Sequence, residues 1–347
     1  MHKKNINGLT LKELEGFLTD LQQEGFRARQ IFSWIYKKGF QDFESMSDLP
    51  LGLRRLLEEN FYIFDLKFIK LLKSKDGTEK LLFGLDDGNF TEAVTIPTEK
   101  RITGCISTQV GCKFACQFCA SGLLGFKRNL TKSEMIEEVL YLKNNNPDRK
   151  ITHLVFMGIG EPLDNYDNVL GAIRIINSSE GLKIGARRIT ISTCGLISGI
   201  KRLSEEGLQI ELSVSLHAPD DKTRFQIMPV NRQYPLKPLL EACRSYIKKT
   251  NRQITFEYVL IKGINSDLQN AKKLSIILKS INCKVNLIPA NIVKEQNIEP
   301  PDKLEILAFR DYLVKSGINV TLRRPRGQDI DAACGQLRLR YEKVHSS

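Results

Sequence analysis

Residues 105–119 read Cys-Ile-Ser-Thr-Gln-Val-Gly-Cys-Lys-Phe-Ala-Cys-Gln-Phe-Cys, which places Cys112, Cys116 and Cys119 in a CxxxCxxC pattern. Thiolates this close together bind soft metal centres, such as zinc or the iron atoms of an iron–sulfur cluster. A closed structural zinc site takes four protein ligands, whereas three leave one iron of a [4Fe-4S] cluster open to a ligand that is not protein. The spacing therefore favours a cluster, and a zinc loop that adds Cys105 or a distant histidine is the alternative.

The composition describes a basic protein, long enough for one sizeable domain and a smaller one. Of its 347 residues 41% are hydrophobic, and the formal net charge is +12 with a sequence pI of about 9.2. Such a surplus favours a polyanionic partner, above all nucleic acid, and a merely basic soluble protein is the alternative. The chain has no apolar run long enough for a transmembrane helix, and it starts without the apolar segment typical of a signal peptide. Because eight cysteines without such a signal suggest reduced thiols, we expect a cytoplasmic protein without a membrane segment.

Strand-like and helical segments alternate along the chain from about residue 102. The candidate strands are 102–107, 153–157, 188–193, 210–216, 254–261 and 284–289. Helical stretches lie near 134–143, 168–176, 196–206, 236–249 and 267–279, and a last helix near 303–315 leads to a strand at 318–323. This alternation predicts a parallel sheet, and six such units predict an α/β fold with a partial (β/α)6 barrel. The active site of such a barrel lies in the loops at the carboxyl ends of its strands.

Two smaller segments precede this core, which we place at 99–341. Residues 1–64 have leucines and aromatic residues at helical spacing and several basic side chains, which predicts a small helical accessory domain that binds RNA backbone or only packs. Residues 65–98 change to a period of two and carry turn signals at Lys75-Asp76-Gly77 and Asp86-Asp87-Gly88-Asn89. These signals predict a short antiparallel β extension.

Glu92 occupies an unusual position in this β extension. Phe90, Val94 and Ile96 alternate onto one face of its last strand, and Glu92 lies on the same face. A carboxylate among apolar neighbours pays a desolvation penalty, and such groups often belong to functional sites. The alternative is an edge-strand glutamate that reaches solvent.

The loops that follow the barrel strands carry polar groups suited to a ligand. The second strand is followed by Gly158-Ile159-Gly160-Glu161-Pro162, whose glycines let the backbone approach a ligand closely. The third strand ends near Ser192, the fourth at Ser215-Leu216-His217 and the sixth just before Asn291. Hydroxyl, amide and imidazole groups of this kind suit a ribose or a carboxylate, although each alone is more often a turn or strand-cap feature.

The CxxxCxxC loop, which continues Ala-Ser-Gly after Cys119, resembles the signature of the radical S-adenosylmethionine (SAM) superfamily. The resemblance implies a [4Fe-4S] cluster on Cys112, Cys116 and Cys119, whose open iron chelates SAM and which, when reduced, cleaves it to a 5′-deoxyadenosyl radical. The segment Gly160-Glu161-Pro162 resembles the one with which these enzymes hold the amino group of SAM. The resemblance also implies SAM contacts from Gly160, Glu161, Ser192, Ser215, Leu216, His217 and Asn291.

The C-terminal loop helps to choose among the families of this superfamily, because it contains Cys334, a cysteine that the cluster does not need. Arginines precede this cysteine, and positive neighbours favour a thiolate, although a lone loop cysteine is usually inert. The chain resembles the RlmN family of dual-specificity ribosomal and transfer RNA adenine-C2 methyltransferases in the segments 105–122, 158–163, 189–195, 213–218, 228–231, 286–291 and 329–337. The resemblance implies a small residue such as serine at position 194, and we interpret Cys194 as a harmless variant.

This resemblance implies a mechanism that uses two SAM molecules. Cys334 takes a methyl group from the first, a radical made from the second abstracts hydrogen from that group, and the methylene radical adds to C2 of adenine. Glu92 then removes a proton from the adduct, and Cys105 attacks Cys334, closes a disulfide and releases the RNA. The implied partners are 23S ribosomal RNA, transfer RNA and an electron donor such as flavodoxin or ferredoxin, and the implied enzyme is a monomer. The target adenine must be unstacked, so we expect loop or single-stranded RNA.

Three other functions stay open at this point. A Cfr-type adenine-C8 methyltransferase shares this machinery, whereas a glycyl-radical activating enzyme would not need Cys334 or Cys105. A zinc-dependent RNA-binding protein would not need SAM. The Ile-Pro-Ala-Asn segment that ends at Asn291 and the arginine-rich run before Cys334 resemble the C2 family more closely.

Overall fold

The computed structural model describes residues 3–39, 41–64, 66–122, 125–146, 149–291, 298–323, 326–330 and 335–345. Cys334, the expected methyl carrier, lies outside these residues. None of the helices in this part of the chain is long and apolar enough to cross a membrane.

The N-terminal region is helical, as its apolar spacing predicts. Thr10 and Glu13 form a capping box that begins the first helix: the Glu13 N–H donates to Thr10 Oγ1 over 3.2 Å, and the Thr10 N–H donates to Glu13 Oε2 over 2.6 Å. Two short strands at the ends of this region pair in parallel, which brings its ends together. Its elements are β1 (Lys4–Asn5), α1 (Leu11–Asp20), α2 (Arg27–Phe32), a π-helical turn (Ser33–Lys38), α3 (Leu51–Asn60) and β2 (Phe61–Tyr62).

An antiparallel β meander follows, with turns at the two predicted positions. Its last strand pairs antiparallel with the first strand of the barrel, so that Val94 lies opposite Cys105. The meander therefore continues the barrel sheet at one edge instead of forming a sheet of its own. Its strands are β3 (Lys67–Lys73), β4 (Glu79–Gly84) and β5 (Phe90–Pro97), and the first barrel strand is β6 (Ile102–Cys105).

The barrel sheet continues from β6 through six more strands, each parallel to its neighbour. The elements after β6 are β7 (Gln109–Val110), β8 (Arg128–Asn129), α4 (Lys132–Asn144), β9 (Ile151–Phe156), α5 (Tyr166–Asn177), β10 (Ile189–Thr193), α6 (Ile197–Leu203), β11 (Glu211–Ser215), α7 (Asp221–Ile227), α8 (Leu236–Thr250), β12 (Ile254–Leu260), α9 (Leu268–Leu278), β13 (Cys283–Pro289), α10 (Lys303–Lys315), β14 (Asn319–Leu322) and α11 (Gln336–His345). The sheet order is β14-β13-β12-β11-β10-β9-β6-β5-β4-β3. The predicted α/β fold class is confirmed.

The sequence reasoning missed the helices α7 and α11 and the β7–β8 ribbon. Helix α7 has seven residues, so it shows less than two full turns of apolar periodicity. Its N-terminus depends on a cap, because Asp220 Oδ1 accepts the Thr223 N–H over 2.9 Å. Short elements of this kind are stabilised by single contacts and by packing, which a pattern of apolar residues does not reveal.

Helix α4 contacts the β7–β8 ribbon and the regions that precede the barrel through three glutamates, although acidic residues on a helix usually face solvent. Glu134 accepts two hydrogen bonds from Arg128, at 2.7 and 2.9 Å. Glu137 accepts the Leu66 N–H over 2.9 Å and the side-chain amides of Asn5 and Asn7. Glu138 accepts the Thr91 hydroxyl over 2.7 Å and the Ser107 N–H over 2.8 Å. The hydrogen bonds from several donors offset the free energy that each of these carboxylates loses when it is removed from water.

Replacing Glu137 with Ala should destabilise the fold strongly. The substitution removes the buried acceptor of Leu66 and of both asparagine amides. We expect the free energy of unfolding, measured by urea denaturation, to fall by about 3 kcal/mol. Glu59, an exposed residue of α3, provides the matched control, and Glu59→Ala should change it by no more than about 0.5 kcal/mol. Equal losses in the two variants would contradict this role of Glu137.

Candidate active site

The cysteine loop, residues 112–119, runs between β7 and a 3₁₀ turn at Ala120–Gly122. It packs on the carboxyl-terminal side of the barrel: the Gln117 N–H donates to Ile227 O over 3.0 Å, and the Phe118 ring contacts the His217 ring edge-on with centroids 4.7 Å apart. Lys113 extends the contact through a 2.5 Å ion pair with Asp164. The fold therefore places this loop where the sequence predicts the active site.

The three loop thiols suit a cationic centre. Burial, together with the nearby Cys119, raises the pKa of Cys112 to about 12. Burial also raises the pKa of Cys116 well above the ordinary value, and Cys119 and Cys112 add to that rise. Thiolates that repel one another in this way need a positive partner, and metal coordination deprotonates thiols outright. Among the described residues, no three Cys, His, Asp or Glu side chains form a ready-made site for a metal ion.

Glu161 lies beside these thiols, in the loop after β9. Its side chain is 3% exposed, and its carboxylate accepts the Cys194 N–H over 2.7 Å and the Leu163 N–H over 3.0 Å. Burial raises its pKa in spite of these hydrogen bonds. The preceding Gly160 has a φ of +106°, and a Cβ there would lie 2.5 Å from Gln109 Cβ, so the close approach to Gln109 requires glycine.

Arg224, which the sequence reasoning missed, ties the ends of two barrel strands together. It is fully buried, and its guanidinium donates to five acceptors, which are the carbonyl oxygens of Cys194, Ser215, Leu216 and Tyr234 and the side-chain oxygen of Asn231, at 2.7–3.1 Å. This arginine belongs to the unpredicted helix α7. Among the many basic residues of this chain, no sequence pattern distinguishes it.

His217 is held as a neutral ring. Its Nδ1 accepts the Val259 N–H over 3.0 Å, which leaves Nε2 to carry the proton. Burial, together with the charge of Arg224, lowers its pKa to about 3. The residue has a φ of +56°, an unusual conformation for a non-glycine residue, which often marks a functional position.

The other expected SAM contacts lie at the same side of the sheet. Ser192 and Ser215 are half-buried, on β10 and at the end of β11, and Asn291 is exposed just beyond β13. The Leu216 side chain is fully buried, and both of its backbone groups already have partners, since its N–H donates to Glu257 O and its C=O accepts from Arg224. The fold thus brings Glu161, Ser192, Ser215 and His217 to the strand ends around the cysteine loop.

Glu92 has surroundings that its sequence pattern did not predict. It is 3% exposed, and Lys80, which is fully buried, forms a 2.8 Å ion pair with it. Its carboxylate also accepts the Gly335 N–H over 3.0 Å and the Arg338 N–H over 2.5 Å. The alternative of an edge residue that reaches solvent is therefore wrong, and the polar partners of the buried Glu92 were not predicted. The reason is that its partners come from β4 and from the C-terminal region, which are far away along the chain.

Cys105 lies close to Glu92 in the sheet. It is 7% exposed at the end of β6, and its cross-strand partner is Val94. Residues two apart on a strand share a face, so Glu92, Val94 and Cys105 project from the same face of neighbouring strands. The Ser107 hydroxyl adds a 2.6 Å hydrogen bond to Glu92 O between the same two segments.

Gly335 joins the C-terminal region to the cysteine loop. Its φ is +77°, and a Cβ at this position would lie 2.7 Å from Ser121 N, two residues after Cys119. Gly335 also donates to Glu92, so it contacts the two parts of the candidate site at once. Cys334 directly precedes it in the sequence but lies outside the described residues.

Replacing Gly335 with Ala should loosen the docking of α11. The added Cβ meets Ser121 backbone, in addition to the strain of a positive φ. We expect amide hydrogen exchange in α11 to accelerate at least tenfold, equivalent to about 1.4 kcal/mol. Gly88 is the matched control, because its φ is +78° and a Cβ there meets nothing within 4 Å. If Gly88→Ala accelerated exchange in α11 as much as Gly335→Ala, the contact with Ser121 would not be the cause.

The chain is similar to known proteins over nearly its whole length. Residues 106–274 match the model of the Radical SAM superfamily, and residues 4–63 match that of the Ribosomal RNA large subunit methyltransferase N-terminal domain. A probable dual-specificity RNA methyltransferase RlmN from Clostridium novyi (strain NT) is 46% identical over 339 residues, which cover 97% of this chain and 98% of the relative. A protein of the same description from Staphylococcus aureus is 43% identical over 346 residues, covering 99% and 95%. The crystal structure of a radical SAM methyltransferase from Sphaerobacter thermophilus is similar with a TM-score of 0.93 and 42% identity, covering 96% of this chain and 98% of that one.

These matches extend over nearly the whole chain and include both its N-terminal region and its barrel. The radical SAM superfamily implies a [4Fe-4S] cluster and SAM as cofactors, and the half-buried thiols of the cysteine loop fit the first of these. A zinc-dependent RNA-binding protein and a glycyl-radical activating enzyme no longer compete as interpretations. The chain belongs to the RlmN family of radical SAM RNA methyltransferases.

Proposed function

We propose that this enzyme methylates C2 of a specific adenine in 23S ribosomal RNA and in transfer RNA, with Cys334 as methyl carrier and two SAM molecules consumed per turnover. The observation that carries the proposal is the position of Gly335, the residue that follows Cys334. Gly335 donates to Glu92 and lies against Ser121, beside the cysteine loop. This position of Gly335 supports a carrier role for Cys334, because the chemistry requires a carboxylate and the cysteine loop near the carrier.

In this proposal Cys112, Cys116 and Cys119 hold the cluster. When bound, the cluster and SAM supply a 5′-deoxyadenosyl radical. Glu161 binds the amino group of SAM, and this contact suits its environment, because a nearby cation favours the ionised form of a carboxyl group whose pKa is raised by burial. The remaining SAM contacts are assigned to Gly160, Ser192, Ser215, Leu216, His217 and Asn291.

The radical adduct gives one electron back to the redox chain that supplied it, and Glu92 removes its C2 proton. Cys105 then attacks the sulfur of Cys334, the bond between that sulfur and the methylene carbon breaks, and the carbon takes up a solvent proton to become the methyl group. Lys80 supports the role of Glu92, since its ammonium group, 2.8 Å from Glu92 Oε2, holds the carboxylate in a fixed orientation. The positions of Glu92 on β5 and Cys105 on β6 support this order of reactions, because both side chains project from the same face of the sheet. The disulfide between Cys105 and Cys334 closes as the methylated RNA leaves.

The RNA must present an unstacked adenine, because a base inside a helix is not accessible to a buried site. The net charge of +12 favours binding of RNA backbone, and we assign part of that binding to the accessory domain 1–64. The β extension at 65–98 and the core at 99–341 complete the proposed domain organisation. The enzyme is further proposed to act as a cytoplasmic monomer. It receives its electrons from a donor such as flavodoxin or ferredoxin.

Two cysteine variants test this mechanism. Cys334→Ala should lose all RNA methylation, because no carrier remains. Cys105→Ala should form the covalent link between Cys334 and RNA but fail to release it, so that a protein–RNA adduct accumulates on denaturing gels and methylated RNA falls by at least about 100-fold. Cys283→Ala serves as the control, because Cys283 is a buried cysteine at the start of β13, and it should turn over normally.

Normal turnover of Cys105→Ala would overturn the assignment of the resolving thiol. Methylation by Cys334→Ala would overturn the carrier, and with it the proposed function. Nucleoside analysis of the product identifies the carbon that is methylated: 2-methyladenosine is expected, and 8-methyladenosine would instead identify a C8 methyltransferase of the Cfr type.

A further inference from the structure

The turn between β3 and β4 holds the C-terminal region through two aspartates, one from each side. In the turn, Asp76 Oδ2 accepts the Gly327 N–H over 3.0 Å. In the C-terminal region, Asp329 accepts the Ser74 hydroxyl over 2.5 Å and the Lys75 N–H over 3.1 Å. Each side therefore supplies an aspartate that accepts hydrogen bonds from the other side, and the loss of one aspartate leaves the hydrogen bonds of the other in place. We call these five residues the hairpin latch.

Both aspartates of the latch are ionised at neutral pH. Burial raises the pKa of Asp76, but hydrogen bonds from Thr78, Gly327 and Ser74 outweigh it and lower this pKa to about 2. The Ser74 hydroxyl and the Lys75 N–H lower the pKa of Asp329 as well. Hydrogen bonds to a charged acceptor are stronger than those between neutral groups, so the latch is well suited to fix a segment at the surface.

A second contact lies on the other side of the segment that contains Cys334. Gly335 and Arg338 donate their N–H groups to Glu92, on β5 of the same meander. Residues 327–329 are thus held at a turn of the meander, and residues 335–338 are held at its last strand. One rigid, hydrogen-bonded sheet therefore determines the position of the chain both before and after the proposed carrier.

We propose that Asp76 and Asp329 are positioning residues for the methyl transfer to Cys334. The inference rests on the proposed role of Cys334 and adds to it the device that fixes the carrier segment. Glu92 binds only the segment after Cys334, through Gly335 and Arg338. Attack of the Cys334 sulfur on the methyl group of SAM needs a defined position of that sulfur, which a second anchor before Cys334 would provide. A displacement of about 1 Å at a reacting atom costs on the order of 100-fold in rate, so the loss of one of two anchors should be measurable.

Asp76 and Asp329 are both exposed, which makes substitution at these positions compatible with a folded protein. The variants are Asp76→Ala, Asp329→Ala, the double variant and the conservative Asp329→Asn, whose amide oxygen keeps one acceptor. Asp302→Ala is the matched control: Asp302 is an exposed aspartate that accepts one backbone N–H, from Glu305 over 2.9 Å, at the start of α10.

The experiment measures the first half of the reaction in the holoenzyme. Protein whose Cys334 starts unmethylated is mixed with SAM in the absence of RNA, and mass spectrometry follows the peptide that contains Cys334 as it gains a methyl group. We expect S-methylation to slow at least about tenfold in both alanine variants, with partial recovery in Asp329→Asn and a wild-type rate in Asp302→Ala. The dissociation constant of SAM, measured by equilibrium dialysis, should stay within about twofold of wild type, which distinguishes a positioning defect from a damaged barrel.

The outcomes separate the two proposals. Methylation of the double variant at the wild-type rate overturns the latch and leaves the proposed function intact. Weaker SAM binding that accounts for the whole loss of rate also overturns the latch, because the defect then lies in the barrel. If the wild type itself never gains the methyl group, the carrier role of Cys334 fails, and the positioning role fails with it.

Discussion

The buried ion pair between Glu92 and Lys80 is the interaction on which the rest of the site depends. Lys80 is fully buried and Glu92 is 3% exposed, so neither charge is stabilised by water. A buried carboxylate also needs donors for its other lone pairs, and the Gly335 and Arg338 N–H groups supply them. Because the buried carboxylate needs these donors, it binds the C-terminal region to β5. At this point Gly335, the residue after the proposed carrier, lies against Ser121 beside the cysteine loop. The same carboxylate that serves as the proposed base is thus also an anchor.

Other buried charges organise the remainder of the molecule in the same way. The glutamates of α4 connect the barrel to the β7–β8 ribbon, to the N-terminal region and to β5, and each is matched by donors from a different segment. Arg224 connects the ends of β10 and β11 with α7 through five acceptors. A side chain that loses its hydration must recover its hydrogen bonds from the protein, so each of these groups fixes several backbone segments at once.

Local patterns predicted the fold well. The seven barrel strands lie within two residues of their predicted bounds, because parallel strands buried on both faces appear as continuous apolar runs. The CxxxCxxC loop and Gly160-Glu161 could be recognised because each is a short motif whose residues are close together in the sequence. Lys80 and Arg224 were missed because their partners are distant in sequence, and an isolated basic residue is normally solvated. The polar partners of Glu92 were missed for the same reason. The site roles of the cysteines, of Glu161 and of the SAM contacts stay predictions.

The central claim is that the methyl carbon reaches adenine as a methylene radical carried by the protein. It is tested most directly with SAM whose methyl group is fully deuterated, followed by mass spectrometry of the nucleosides from the methylated RNA. Transfer through an S-methyl group removes one deuterium before the carbon–carbon bond forms, and a solvent-derived proton replaces it when the product is released. The account predicts 2-methyladenosine that carries two deuterium atoms in its methyl group. A methyl group that keeps all three deuterium atoms would show direct transfer from SAM and would contradict the account.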